Sequence, residues 1–105
     1  MNLQEKQAPI DRAIVEALIA ATPETWNSAL MVVERRDEGP NEKMSIEITS
    51  PERHKDLVGP TDEIYEGLYR LSDCFRKQGK VWRAVRYQVN LAPTGDWKFE
   101  VSFEF

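Results

Sequence analysis

The chain has 105 residues, of which 41% are hydrophobic and 30% are charged, and its formal net charge is −4. This length is enough for one small domain, and no apolar run approaches the roughly 20 residues that a membrane span requires. Cys74 is the only cysteine, so an internal disulfide and a thiolate metal cluster are both excluded. The first residues lack the basic and apolar regions of a secretory signal, and we expect a cytoplasmic location.

The charges are unevenly distributed along the chain. Glu34 to Glu66 contains ten acidic and five basic residues, whereas Arg70 to Lys98 contains seven basic and two acidic residues. Ordinary solvated faces would explain this pattern. A dipolar surface whose acidic half attracts a basic partner would explain it too. Seven basic residues in an acidic protein are only a weak indication of nucleic-acid binding, which we do not expect.

Apolar residues recur at helical spacing in residues 8–21 and predict an amphipathic helix. They are Ile10, Ile14, Leu18 and Ala21. Asp11 is expected in the first turn, where a negative charge suits the helix dipole. Pro23 ends the helix, because proline disfavours the α conformation in the residue before it.

A β-hairpin is predicted next. Residues 29–36 are apolar and partly β-branched, and residues 43–49 alternate between apolar and polar side chains. Both patterns are typical of strands. The turn signals Asp37, Glu38, Gly39, Pro40 and Asn41 lie between them.

The second half repeats this order. Thr61 is a good N-cap for a helix with the apolar stripe Ile64, Leu68, Leu71 and Phe75, and Gly79 is the expected stop. Residues 81–91 are predicted to form a third strand. Residues 97–105 alternate strictly, which predicts a fourth strand with one buried face, and we expect the aromatic Phe105 to be packed.

Four strands that each carry an apolar face need a cover, and two amphipathic helices can supply it. We therefore predict that residues 1–105 form a single α+β domain. Its four-stranded antiparallel sheet would have both helices on one face, with the order helix, hairpin, helix, hairpin. The two hairpins are expected side by side.

Few residues indicate catalysis. His54, the only histidine, lies between two cations in a predicted loop, and no motif places a base beside Cys74. One histidine and one cysteine do not give the spacing of a zinc site, and no glycine-rich nucleotide-binding motif is present. We expect no enzyme activity, no metal and no cofactor.

The three tryptophans lie near the ends of predicted strands. Trp26, Trp82 and Trp97 could close the core at its edges or form an anchor patch for a protein partner. Trp82 and Arg86 share the face of the third strand that is opposite Val85 and Tyr87. If the helices cover the Tyr87 face, Trp82 and Arg86 face outward as an alternative interaction surface.

The chain resembles the YezG-like immunity (antitoxin) family of bacteria along nearly its whole length. The carrying segments are the first helix with Pro23, Glu24 and Trp26; a strand from Ala29 to Glu34; the helix from Ile64 to Phe75; a strand with Trp82, Val85, Tyr87 and Val89; and a last strand with Gly95, Trp97 and Phe99.

This resemblance implies a non-enzymatic protein that binds a cognate toxin, often a nuclease, and blocks it. We expect acidic residues to cover the basic surface of such a toxin. The candidate toxin-binding residues are Glu34, Asp37, Glu38, Glu42, Glu47, Asp62, Glu63 and Glu66. The alternative is a generic interaction or assembly module that self-associates, for example as a homodimer, through an edge strand or the Trp82/Arg86 face.

Overall fold

Two helices and four strands make up the fold. The computed structural model describes the backbone of residues 3–38 and 41–105, and the side chains of residues 5–36 and 43–105. The elements in chain order are α1 (Leu3–Ala21), β1 (Ser28–Glu38), β2 (Asn41–Thr49), α2 (Asp62–Arg76), β3 (Ala84–Leu91) and β4 (Trp97–Glu104). The predicted α+β class and the order of elements are confirmed.

The four strands form one antiparallel sheet in the order β2-β1-β3-β4. The two hairpins therefore lie side by side, as predicted, and β1 and β3 are the central strands. Met31 lies opposite Ile48 on one side and opposite Tyr87 on the other, and Tyr87 in turn lies opposite Val101. This row crosses the inner face of the sheet, which packs against the helices.

The core lies between this inner face and the helices. Ile14 and Leu18 of α1 and Ile64 and Leu68 of α2 are fully buried together with inner-face residues such as Met31. The opposite side of the sheet, here called the outer face, carries Val32, Glu34, Glu47, Arg86 and Glu100, which are half-buried or exposed. Residues that alternate along each strand thus face either the helices or solvent.

The first helix begins earlier than the sequence pattern indicates. It starts at Leu3 and contains Pro9, whereas residues 8–21 were predicted. Lys6 and Ala8 are exposed, so residues 5–9 carry no apolar stripe that could mark the start. The prediction that Asp11 lies in the first turn is therefore wrong. Asp11 lies in the third turn and is buried.

The second helix follows its sequence signals closely. Thr61 is the N-cap, and its hydroxyl oxygen accepts a hydrogen bond from the Ile64 amide at 3.3 Å. Gly79 has a φ of 72°, which glycine adopts without steric cost, and it closes the turn after the helix. All four residues of the predicted stripe are buried: Ile64, Leu68, Leu71 and Phe75.

The ends of the second hairpin differ from the prediction. The third strand begins at Ala84, three residues later than expected. Phe105 stacks on Phe75 and Phe103, with ring centroids 6.0 and 6.1 Å apart, yet 66% of its surface is exposed. The expectation that Phe105 is packed is thus wrong for most of its surface. Gly39 and Pro40 of the first predicted turn lie outside the described residues.

Candidate partner-binding surfaces

The eight acidic residues predicted to bind a toxin do not form one surface. Glu34 and Glu47 lie on the outer face of the sheet, whereas Asp62, Glu63 and Glu66 lie in the first turns of α2, in the helix layer. The other three are at the end of the first hairpin, where the Asp37 backbone lies opposite Glu42, and their side chains are outside the described set: Asp37, Glu38 and Glu42. A single flat partner cannot contact both sides of the sheet.

The acidic side chains of the outer face are mixed with cations. Glu34 lies opposite Ser45 and Glu47 lies opposite Val32, so the two glutamates are diagonal neighbours. Arg86 lies on the other side of Val32 and is exposed on the same face. Arg36 and Lys43, also exposed, lie opposite each other. This face therefore does not present a predominantly negative surface.

The helix layer carries a more uniform acidic site, the inter-helix groove. It has a volume of about 310 Å³ between α1 and α2, with small residues at its floor and glutamates at its rim. Its lining residues are Ala13, Glu16, Ala17, Glu63, Glu66, Gly67 and Arg70. Glu16, Glu63 and Glu66 are exposed. Arg70 donates to the Glu66 carboxylate at 2.7 Å, an exposed pair one helical turn apart.

Close packing of the helices explains the shape of this groove. A Cβ atom at Gly67 would lie 2.6 Å from Cγ1 of Ile14, which is closer than side-chain atoms can approach. The missing side chain lets α1 and α2 approach each other at this point and brings Glu16 to the same groove as Glu63 and Glu66. Sequence reasoning missed Glu16. The available signal was the glycine within the predicted second helix, which indicates close packing.

The predicted Trp82/Arg86 surface does not exist. Trp82 has no exposed surface, whereas Arg86 is exposed. The strand starts only at Ala84, and a bend at Arg83 breaks the alternation that would have put Trp82 and Arg86 on one face. The Trp82 ring lies in the core with the Arg35 guanidinium 5.7 Å from its centroid. The prediction that Trp82 faces outward is therefore wrong.

Trp26 closes another edge of the core beneath residues 50–60. It is 1% exposed, and His54 stacks on it with ring centroids 5.9 Å apart and planes at 12°. The Trp26 Nε1–H donates to Asp56 at 3.2 Å. With Trp82 also buried, Trp26 and Trp82 close the core at its edges, whereas Trp97 on β4 is half-buried.

Residues 50–60 connect β2 to α2, and Glu52 holds this connection to the start of β1. Its carboxylate accepts hydrogen bonds from the Asn27 backbone amide at 2.7 Å and from the Ser28 hydroxyl at 3.3 Å. His54 lies 3.9 Å from this carboxylate. The hydrogen bond from the Asn27 amide stabilises the ionised form and lowers the pKa of Glu52. These contacts give Glu52 and His54 a structural position that the sequence did not indicate.

A buried polar pair joins α1 to β3. The Tyr87 hydroxyl donates to Asp11 at 2.6 Å, and Gln7 donates to the other carboxylate oxygen at 2.9 Å. Burial raises the pKa of Asp11, although both hydrogen bonds oppose that shift. Burial and the neighbouring carboxylate raise the pKa of Tyr87. The pair positions α1 on the sheet, and Asp11 lies at the lining of the groove between α1 and β4.

The inner face of β4 is only partly covered by α1. A groove of about 850 Å³ runs between them, with Ala8 and Pro9 on the helix side and Phe99 and Val101 on the strand side. Phe99 is 45% exposed. This second groove, the α1–β4 groove, therefore leaves apolar surface open to solvent.

The described residues offer neither a metal site nor a membrane span. This part of the chain contains no group of three or more histidine, cysteine, aspartate or glutamate residues arranged to hold a metal ion. Neither described helix combines the length and the hydropathy that crossing a membrane requires.

No model of a known protein family matches this chain, and no curated protein matches it.

Proposed function

We propose that this protein is a non-enzymatic immunity protein that binds a cognate bacterial toxin, a nuclease being the best-fitting class, through the inter-helix groove. The observation that carries the proposal is the exposed set Glu16, Glu63 and Glu66 around a floor of small residues. A basic side chain of a partner fits such a groove, because the floor leaves space and the rim offers carboxylates. The resemblance to the YezG-like family supports the same assignment.

The mechanism of inhibition is electrostatic and steric occlusion. Nucleases hold phosphates with basic surfaces, and carboxylates on an inhibitor compete for the same cations. Complementary charges also accelerate association more than they raise final affinity. The neutralised toxin would remain in the cytoplasm of the cell that makes it, and the inhibitor needs no cofactor, nucleic acid or membrane to act.

A charge-reversal pair tests the groove. Glu16→Arg together with Glu63→Arg changes two exposed rim residues and leaves the Glu66–Arg70 pair intact. We expect this variant to bind the toxin encoded by the adjacent reading frame at least about tenfold more weakly, through slower association, and to lose protection. Binding is measured by surface plasmon resonance over a salt series, and protection by growth with the toxin expressed.

The matched control is Glu34→Arg together with Glu47→Arg on the outer face, which makes the same change in net charge. We expect binding and protection close to those of the unchanged protein. Loss in the control alone would move the binding site to the outer face. Unchanged protection in both variants would contradict electrostatic occlusion.

A second candidate function, a self-assembling interaction module, is favoured by one different observation, the free edge of β4. It does not require the inter-helix groove and does not exclude toxin binding.

A further inference from the structure

The free edge of β4 presents a defined row of backbone groups. β4 is the last strand of the sheet and pairs only with β3 among the described strands. The Ala92 amide donates to the Asp96 carbonyl at 2.7 Å directly before the strand begins, whereas the Leu91 amide donates to the Asn27 carbonyl on the other side of β3 at 2.7 Å. Because hydrogen-bonded and non-hydrogen-bonded pairs alternate in an antiparallel ladder, the even-numbered residues of β4 point their backbone groups at β3. The odd-numbered residues point theirs outward: Trp97, Phe99, Val101 and Phe103.

The side chains of these odd-numbered residues lie on the inner face and are incompletely covered. Trp97, Val101 and Phe103 are half-buried, and Phe99 is 45% exposed beside the α1–β4 groove. An edge strand with unpaired backbone groups and exposed aromatic side chains is a template for another strand. Native proteins protect such edges with charged side chains, proline, a bulge or a covering loop. β4 carries charged residues on its outer face, but within the described residues it has no proline, bulge or covering loop.

The sequence of β4 is complementary to itself in one antiparallel register. With Val101 opposite Val101 of a second copy, Phe99 lies opposite Phe103 and Trp97 opposite Phe105. On the outer face Lys98 then lies opposite Glu104, twice by symmetry, and Glu100 lies opposite Ser102. Directly opposed residues share a face, so aromatic residues meet aromatic residues and a cation meets an anion.

The neighbouring registers are less favourable. Centring the pair on Glu100 places two glutamates directly opposite each other, and centring it on Ser102 places Glu100 opposite Glu104 twice. Like charges at opposed positions destabilise a strand pair. Registers that pair odd with even positions would oppose aromatic and charged side chains. The Val101 register pairs all the residues from 97 to 105 without such a conflict.

Two more distant registers avoid these conflicts but pair less of the strand. Centring the pair on Phe99 opposes residues 97–101 of the two copies, and centring it on Phe103 opposes residues 101–105. A shorter paired segment leaves more backbone groups and aromatic side chains uncovered. The Val101 register is therefore the most favourable of these pairings.

We propose that two copies of this protein pair through β4 in antiparallel orientation, with Val101 on the two-fold axis, to form a continuous eight-stranded sheet. The Lys98–Glu104 contacts specify the register, and the paired aromatic residues cover each other at the open side of the α1–β4 groove. The strand pair uses no residue of β4 that lines the inter-helix groove, so dimerisation is tested without the toxin.

Sedimentation velocity over a concentration series tests the dimer. We expect a species of twice the 12.2 kDa chain mass that dissociates on dilution. Val101→Pro removes an outward N–H at an edge position where proline is tolerated, so the fold is kept and pairing is lost. A monomer at every concentration, or a Val101→Pro variant that dimerises as before, would overturn the proposal.

A charge swap tests the register. Lys98→Glu alone places the new carboxylate opposite Glu104 of the other copy, twice by symmetry, and we expect the dimer dissociation constant to rise about tenfold. Adding Glu104→Lys restores opposed charges between the copies, at the cost of the ion pair between Glu104 and Arg83 within each chain, and we expect dimerisation to recover. Circular dichroism checks that each variant is folded. Equal dimerisation of the single variant and the unchanged protein would refute this register, as would a double variant that is no better than the single one.

Discussion

The Asp11 carboxylate is held in the core by its two donors, Tyr87 and Gln7. Taking a carboxylate out of water is costly, and hydrogen bonds offset the cost only while both donors are in place. Asp11 is only 7% exposed, and it contacts solvent only at the lining of the α1–β4 groove. The pair therefore positions α1 on the sheet, and the loss of either donor would leave a buried carboxylate oxygen without its partner.

Tyr87→Phe tests this interpretation. The variant keeps the aromatic ring in the core and leaves one oxygen of Asp11 without its donor. We expect the free energy of unfolding to fall by about 1–3 kcal/mol, measured by urea denaturation at neutral pH. Tyr69→Phe, at a position that is 48% exposed, is the matched control and should change stability by less than about 0.5 kcal/mol. Equal effects of the two substitutions would show that the Asp11 bond contributes nothing.

At the scale of elements, the contact between α1 and α2 depends on the absence of a side chain at Gly67. Alanine is the better helix former by about 1 kcal/mol, so propensity alone predicts that Gly67→Ala stabilises the protein. Its Cβ, however, would meet Ile14 at 2.6 Å. We expect the steric cost of about 1–3 kcal/mol to exceed this gain, with a net destabilisation of up to about 2 kcal/mol by thermal or urea unfolding.

Gly59→Ala is the control for this substitution, because a Cβ at Gly59 meets no atom within 4 Å. Its stability should stay within about 0.5 kcal/mol of the unchanged protein. If Gly67→Ala is stabilising instead, the helices can separate without penalty, and the floor of the inter-helix groove is not fixed by this contact.

The elements were predictable where a local pattern marks them. The stripe and N-cap of α2 lie within one segment, so periodicity and Thr61 located the helix. The first turn and a half of α1 has no apolar stripe, and its start could not be seen. Trp82 was predicted on the wrong face because it lies four residues before Arg86, and strict alternation puts both side chains on one face of a strand. The bend at Arg83 interrupts the alternation, and Trp82 lies in the core.

The candidate site was less predictable than the fold. Acidic residues could be counted along the chain, but which face of the sheet or which helix they occupy depends on tertiary packing. Glu16 joins Glu63 only because α1 meets α2 at Gly67. Glu34, by contrast, was grouped with Glu63 from the charge balance and lies on the other side of the sheet.

At the scale of the whole molecule, the connection between β2 and α2 joins the sheet to the helix layer at one end. Glu52 accepts a hydrogen bond from the Asn27 backbone amide, and Asp56 accepts one from the Trp26 indole. The pKa of Glu52 is lowered in the folded state. Its stabilising contribution is thus present above the unfolded pKa, near 4.5, and is lost as pH falls through the lower folded value. The pKa of Asp11 is raised in the folded state, so its contribution to stability has the opposite pH dependence. Protonation of Asp11 favours the folded state, and this stabilisation is lost as pH rises.

Glu52→Gln should loosen this end of the molecule at neutral pH. The glutamine keeps an acceptor for the Asn27 amide but loses the charge, so we expect faster hydrogen exchange of that amide, measured by NMR. In the unchanged protein the same acceleration should develop as acid protonates Glu52, once exchange is corrected for its intrinsic pH dependence. Glu24→Gln, at an exposed glutamate nearby, is the control. Identical Asn27 protection in all three proteins would contradict a fastening role for Glu52.

The bond between Asp11 and Tyr87 spans 76 residues of sequence, and this has a consequence during synthesis. A ribosome completes α1 long before it adds the residue that satisfies the buried carboxylate. Until then the Asp11 carboxylate is more stable in water than in the core, so the nascent α1 cannot pack stably on the first hairpin. We therefore expect α1 to pack on the sheet only after the second hairpin has been synthesised. The nascent chain should then become resistant to protease only when the last third of the sequence has been translated.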